Sequence, residues 1–232
     1  MNEPSPRAMS PEERQVAGLA MTAEHSVLMM ALGAVWSASL VRTSLFLGVL
    51  SAAGLALGFA AQAGVERRDF IILVAVALLV VLFLGVATFV RLVQVQREAV
   101  VYIAGQNRIR RFFVENAPAL QPYFILPTHD DAAALYRSVG TGMHRRPPRY
   151  PLLGLIAQTQ GIVGVITGAV AATIAGLALS WTSPLVSWLA AAGALLLTVV
   201  VLFVFWQRSF AEIQASVRPL SSTPADELGA PF

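Results

Sequence analysis

The sequence predicts an all-α membrane protein with four transmembrane helices, arranged as two antiparallel hairpins with helical cytoplasmic extensions of the first. Hydrophobic residues make up 56% of the 232 residues and charged residues only 12%, whereas about 25% charged is typical of soluble domains. Four runs carry no charge and are close to or above the roughly 20 residues that cross about 30 Å as a helix. They are 45–63, 70–90, 152–180 and 185–206. Short polar links, 64–69 and 181–184, require tight turns within each pair.

The composition also excludes several classes of protein. So apolar a chain is neither disordered nor a nucleic-acid-binding domain for most of its length, and we expect no nucleic-acid partner. The absence of cysteine excludes disulfides, thiolate metal sites and cysteine nucleophiles. The first residues lack a cationic stretch followed by an apolar one, so we expect no cleavable signal peptide.

The distribution of arginine predicts the orientation. All 16 basic residues are arginine, and only Arg67 and Arg68 lie in the link between the first two runs. The other fourteen lie before the first run, between the second and third, or after the fourth. Because cytoplasmic loops carry an excess of basic residues, both termini are predicted to lie in the cytoplasm, with the spans in the cell membrane.

The first hairpin is predicted to continue beyond the membrane as a stalk, within residues 12–116. After a disordered segment, 1–11, a helix starts near Glu12 and runs into the first span, and the second helix continues to Asn116, before Pro118. Apolar and small residues recur at spacings of four and three in the first helix, and they predict its contact face: Val16, Ala20, Ala23, Val27, Met30, Ala34, Ser37 and Val41. A competing interpretation makes 27–40 a fifth span, but its fourteen residues are too few to cross unaided.

Residues 117–151 are predicted to form a cytoplasmic linker with one short helix. Thr128 is its predicted N-cap, Asp131 its third residue, and it ends near Val139. The tail, 207–232, is predicted to be partly disordered. The arginines of 108–111 are expected to pair with acidic residues of the N-terminal helix, with Glu12 and Glu13 as candidates, or with a partner.

Two stripes of small residues are the candidate helix-packing sites. Small residues four positions apart let helices approach closely in lipid, either within one chain or between two. The stripes consist of Gly54 and Gly58 in the first span and of Gly164, Gly168, Ala172 and Gly176 in the third.

A cluster of three arginines before the third span is the candidate lipid-contact site. Arg145, Arg146 and Arg149 either bind anionic headgroups or only determine the orientation. The histidines and aspartates lack metal-ligand spacing, and His129-Asp130-Asp131 fits a helix cap better than a metal site. No catalytic or cofactor-binding residue is predicted.

The absence of ionisable residues within the four runs argues against a pump, an antiporter or a voltage sensor. We therefore predict a non-enzymatic membrane protein that packs or oligomerises through its glycine faces and contacts a cytoplasmic protein through the stalk. The alternative is a channel or membrane-permeabilising effector gated by the stalk. The predicted partners are membrane lipid, a second copy of the chain and a cytoplasmic protein.

Several segments resemble an uncharacterised group of small bacterial multi-pass membrane proteins. The resemblance is carried by Glu24-His25, by Arg42-Thr43-Ser44-Leu45-Phe46-Leu47-Gly48, by Phe89-Val90-Arg91-Leu92-Val93-Gln94, by Arg108-Ile109-Arg110-Arg111-Phe112-Phe113 and by 161–168. It covers most of 16–180 and implies a shared four-helix architecture, but no activity and no functional residues.

Overall fold

The computed structural model describes residues 9–138, 159–216, 219, 220 and 222. Within these ranges the chain contains helices and turns but no strand. The elements are α1 (Pro11–Gln62), α2 (Arg67–Asn116), a 3-10 helix (Pro118–Tyr123), α3 (Ala132–Ser138), α4 (Thr159–Ala178) and α5 (Pro184–Ser216).

Four helices of the described chain, α1, α2, α4 and α5, are long and apolar enough to cross a membrane. This confirms the prediction of an all-helical chain with four candidate spans. At 52 and 50 residues, α1 and α2 are each about 75 Å long, more than twice the roughly 30 Å of a hydrocarbon core. The third predicted span starts at 152, and its first seven residues lie outside the described ranges.

The chain divides into two compact units. The first unit comprises 1–34, 98–147 and 216–232, and the second comprises 35–97 and 148–215. Helices α1 and α2 each contribute one half to each unit. Because α1 is unbroken from Pro11 to Gln62, no turn separates 27–40 from the first predicted span. A separate fifth span would need one.

Helix α1 begins with a capping box. The backbone N–H of Ser10 donates to Glu13 Oε2 at 2.7 Å, and the N–H of Glu13 donates to Ser10 Oγ at 3.1 Å. Pro11 occupies the first helical position, where its missing N–H costs nothing. The helix therefore begins one residue before its predicted start, within the segment that was predicted to be disordered.

Tight turns join α1 to α2 and α4 to α5. Gly64 has φ +67°, a conformation that glycine adopts without steric cost. Ser183 Oγ accepts the N–H of Val186 at 3.4 Å, and Pro184 starts α5. In the same turn the indole N–H of Trp181 donates to the carbonyl of Ala178 at 2.7 Å.

The core of the second unit is apolar and draws on all four of its helices. Its buried members are one residue of α1, four of α2, two of α4 and one of α5. The full set is Phe46, Val81, Phe89, Leu92, Val93, Val163, Val170 and Leu202. Lipid tails are as apolar as these side chains, so helices in lipid associate through close packing and not through the hydrophobic effect. A core of this kind contributes the complementary shapes that such packing needs.

Candidate functional site

A buried polar network organises the first unit around Asn107 of α2, whose exposed fraction is 0%. Its amide Nδ2 donates to the carbonyl of His129 at 2.8 Å and to Ser138 Oγ of α3 at 3.3 Å. Its Oδ1 accepts a hydrogen bond from Arg110 at 2.7 Å. One side chain thus fastens the 128–131 loop and α3 to α2, and its amide hydrogen-bonds through both ends.

Asp130 is the second centre of the network and is 1% exposed. Its Oδ2 accepts Arg108 Nε at 2.7 Å and the backbone N–H of Leu220 at 3.0 Å. A carboxylate is buried at an acceptable cost only when it is paired and hydrogen-bonded, and both conditions hold here. Asp130 therefore connects α2, the loop before α3 and the segment around Leu220.

The cap of α3 differs from the predicted one. Asp131, not Thr128, precedes the helix, and its Oδ1 accepts the N–H of Ala134 at 2.9 Å. Thr128 Oγ1 instead lies 3.4 Å from His129 Nδ1. The helix starts at Ala132 because Asp130, which would have been its second residue, turns into the buried network.

The arginines of 108–111 find partners close to them in the first unit. Arg108 pairs with Asp130, and Arg111 pairs with Glu115 one turn later at 2.6 Å. The expected pairing with Glu13 is wrong, because that side chain belongs to the capping box. Burial lowers the pKa of the Arg110 guanidinium from its ordinary value, and its hydrogen bond to Asn107 Oδ1 holds it in place.

The predicted contact face of α1 is not the face that packs within the first unit. All eight of its members are exposed, while the partly or fully buried face of α1 within the first unit includes Met21, His25, Leu28 and Leu32. Leu28 Cδ1 lies 2.9 Å from where a Cβ on Gly105 would be, so α1 and α2 approach closely there. Gln106 Nε2 lies 3.1 Å from Met29 Sδ and donates to it.

The predicted glycine stripe of α4 lies inside the second unit. A Cβ on Gly164 would meet Phe89 of α2 at 3.2 Å, and one on Gly168 would meet Leu195 of α5 at 3.0 Å. Gly176 lies opposite Ala191, at 3.5 Å, and Ala172 is half-buried. The stripe therefore contacts helices of the same chain.

The predicted glycine stripe of α1 has a different environment. No described atom lies within 4 Å of a Cβ built on Gly54 or Gly58, and both residues are exposed. This stripe makes no close helix contact in the described chain. The candidate lipid-binding residues Arg145, Arg146 and Arg149 lie outside the described residues.

The closest approach at any described glycine is one that sequence analysis missed. A Cβ on Gly85 of α2 would overlap Thr167 Oγ1 of α4 and lie 3.2 Å from Phe46 of α1. Thr167 is 1% exposed, and its hydroxyl donates to the carbonyl of Val163 at 2.7 Å. Gly85 is the one glycine of the apolar run 70–90, so no GxxxG pattern marks it. Its absence of a side chain allows three helices to meet.

A second polar group that the sequence did not indicate joins three helices of the second unit. Gln96 Oε1 of α2 accepts Gln160 Nε2 of α4 at 2.8 Å and the indole N–H of Trp206 of α5 at 3.1 Å. Nearby, Arg97 and Glu212 approach to 3.5 Å. A glutamine acceptor with two donors satisfies three polar groups at once.

Comparison with known proteins assigns no relative: no family model, no curated protein and no solved structure matches the chain. The resemblance to a bacterial membrane-protein group stays a prediction. In the described ranges, no three His, Cys, Asp or Glu residues are grouped as metal ligands.

Proposed function

We propose that this chain is a non-enzymatic multi-pass protein of the cell membrane, whose first unit is a cytoplasmic module that contacts a protein partner. Helices α1 and α2 with α4 and α5 form two antiparallel transmembrane hairpins, and both termini are cytoplasmic. The observation that carries the proposal is the change of character along α2. Its first half packs through apolar contacts around Val81 and Phe89, and its second half is anchored by the fully buried Asn107.

Such a change fits a helix that leaves the membrane without ending. The arginine that pairs with the buried carboxylate of Asp130, Arg108, is 39% exposed, which suits a surrounding of water, whereas ionisable groups are costly in hydrocarbon. The halves therefore suit different solvents. The arginine distribution supports a cytoplasmic position for the polar half.

Exposed tryptophan residues support the proposed position of the α4–α5 turn, at the end of the spans opposite to the first unit. Trp181 and Trp188, at the turn between α4 and α5, are both strongly exposed. Tryptophan is enriched at membrane–water interfaces, where its ring and its N–H meet different surroundings. This turn therefore lies at the outer interface in the proposed topology.

The surface of the first unit offers apolar side chains for a partner. Tyr123 ends the 3-10 helix and Ile125 follows it, and both are among the most exposed large apolar residues described, at 79% and 82%. Shortly after them in the chain, the loop at 128–131 is held to α2 through Asn107 and Asp130. Apolar and aromatic side chains on a fixed loop are typical of a protein-binding surface.

Single cysteines test the topology, because the chain contains none. Val65→Cys in the α1–α2 turn and Tyr123→Cys after α2 are both exposed positions. A membrane-impermeant maleimide should label Val65→Cys in intact cells and Tyr123→Cys only after permeabilisation. Labelling of Tyr123→Cys in intact cells would overturn the proposal.

A conductance measurement separates the proposal from a channel. The full chain, reconstituted in planar bilayers, should stay silent across voltage and pH. Unitary currents that Gly85→Val abolishes and Gly54→Val preserves would replace the proposal with a channel function.

A further inference from the structure

One face of α1 in the first unit is apolar and has no partner among the described residues. It consists of Val16, Ala20, Ala23, Val27, Met30 and Ala34, which we call the outer seam. All six are exposed, with Val16 at 66% and Met30 at 68%. The contacts that α1 makes within this unit come from the other side, as at Leu28. The outer seam is therefore available to a second molecule.

We propose that the outer seam is the interface through which two copies of this chain pair, with their α1 helices parallel. The inference rests on the proposed function, because copies that insert in the same sense present their α1 helices in the same direction. It names the occupant of the surface and the register of the contact, which the proposed function leaves open.

The spacing of the outer seam favours another helix as the occupant. Its members alternate at four and three residues, an average of 3.5, and this is the period of a left-handed coiled coil. A straight helix repeats every 3.6 residues, so an apolar stripe that drifts in this way follows a second helix that winds around the first. Small residues between Val16, Val27 and Met30 provide space for side chains from the facing helix.

The absence of charged residues from the outer seam favours a copy of the same helix as its partner. A parallel pair related by a two-fold axis places each residue against its own copy, so any charge in the contact would face a like charge. The outer seam contains no charged residue, although the same half of α1 carries Glu12, Glu13, Arg14 and Glu24. All four lie off the seam.

Covering the outer seam is favourable because its apolar side chains would otherwise face water. In the proposed topology this half of α1 lies in the cytoplasm, where lipid does not cover an apolar face. Exposed valine and methionine side chains then gain about 25 cal/mol for each Å² removed from water. A second copy is always present at the same membrane and supplies an identical apolar face.

The length of α1 provides enough area for a stable pair. Counted along the sequence, the same spacing continues in α1 through a mostly small set of exposed residues: Ser37, Val41, Ser44, Gly48, Ser51, Leu55 and Gly58. A standard interface contains about 20–30 residues from each partner. The seam with its flanking positions reaches that number, and small residues permit close approach in the membrane.

Cysteine cross-linking of the full chain in native membranes tests the pairing. Ala23→Cys and Ala34→Cys lie on the outer seam, and Gln15→Cys and Thr22→Cys are exposed but off it. Two differently tagged copies are co-expressed, and mild oxidation should join the tags at least about tenfold more at the seam positions. Cross-linking between identical positions requires a parallel pair.

Any other pattern of cross-linking would overturn the proposed pairing. Equal cross-linking at Thr22→Cys indicates random collision, and no cross-linking at Ala23→Cys means that lipid, another protein or another part of this chain covers the seam. If the labelling of Val65→Cys and Tyr123→Cys still follows the proposed topology, only the pairing fails. A reversed labelling pattern would instead overturn the proposed function.

A charge placed in the seam provides a second readout. Ala23→Glu sets two like charges against each other, whereas Thr22→Glu adds the same charge outside the contact. The dimer fraction in detergent-resolved mass measurements should fall at least about tenfold for Ala23→Glu only. Persistence of the dimer in Ala23→Glu, with wild-type melting, would contradict the proposed interface.

Discussion

The contacts inside the first unit differ in kind from those inside the second. In the second unit Gly85 is the described glycine with the closest neighbours, Thr167 and Phe46, and shape decides how closely three helices approach. In the first unit the most buried side chains include Asn107 and Asp130, and hydrogen bonds fasten a loop and a short helix to α2. Both units use α2, which changes from one kind of contact to the other along its length.

This difference shows where each unit is vulnerable. A contact made by shape fails when volume is added, and it is insensitive to the loss of a distant polar group. A contact made by buried hydrogen bonds fails when one partner is removed, because the other partner remains buried and unsatisfied. Four variants with matched controls, and one double variant, test whether the two units follow these different rules.

The largest effect is expected from adding volume at Gly85. Gly85→Val places side-chain atoms where Thr167 Oγ1 and Phe46 lie, and overpacking of this kind costs about 3 kcal/mol. Yield and melting temperature in detergent should both fall. Gly54→Val is the matched control, since nothing described lies within 4 Å of its Cβ, and it should melt like the wild type.

The rescue of Gly85→Ala tests whether the contact is direct. Thr167→Ala removes the oxygen that a Cβ on Gly85 would overlap, so the double variant should melt above Gly85→Ala alone. Additive losses in the double variant would show that Thr167 is not the limiting neighbour.

Sequence alone predicted the four candidate spans and candidate packing faces, but not which residues of two helices meet. A run without charge, such as 70–90, identifies a span without any knowledge of its neighbours. The need for a glycine at position 85 depends on the contact with Thr167, which lies more than eighty residues later in the chain. A GxxxG pattern at Gly54 and Gly58, in contrast, satisfies the local rule and makes no close contact in the described chain.

The contact face of α1 is a second feature that the sequence could not determine. Two faces of this helix carry residues at spacings of four and three, one through Val27 that is apolar or small and one through Leu28 that also includes His25. Periodicity therefore predicted a helix with a contact seam, but it could not choose which face meets α2. The cap at Thr128 was wrong for a related reason, because the burial of Asp130 by Arg108 determines where α3 begins.

The next largest effect is expected from Asp130→Ala in the first unit. This change leaves Arg108 without its carboxylate and the N–H of Leu220 without its acceptor. Because the Arg108 side chain is 39% exposed, water offsets part of the loss, and we expect about 2 kcal/mol. Glu115→Ala removes the exposed pair with Arg111 and should cost less than about 0.5 kcal/mol. Equal losses in melting temperature would contradict a buried role for Asp130.

A smaller effect is expected from the polar group of the second unit. Gln96→Leu keeps the volume but removes the acceptor of Gln160 and Trp206. Hydrogen bonds between membrane helices contribute about 0.6 kcal/mol each, so the loss should be about 1 kcal/mol. Gln62→Leu, at the exposed end of α1, should leave the melting temperature unchanged. A loss as large as that of Asp130→Ala would show that this unit also depends on hydrogen bonds.

The smallest effect is expected at the start of α3. Asp131→Ala removes the acceptor of the Ala134 N–H, and the loss of an N-cap in a seven-residue helix should cost about 0.5 kcal/mol, at the low end for caps. Because Asn107 still holds Ser138, the helix should stay docked while its first turn opens more often. Hydrogen exchange at Ala134 and Leu135 should therefore accelerate a few-fold with no change in global melting. Thr128→Ala is the matched control and should leave the exchange unchanged. Faster exchange in Thr128→Ala than in Asp131→Ala would restore Thr128 as the cap and place the start of the helix earlier.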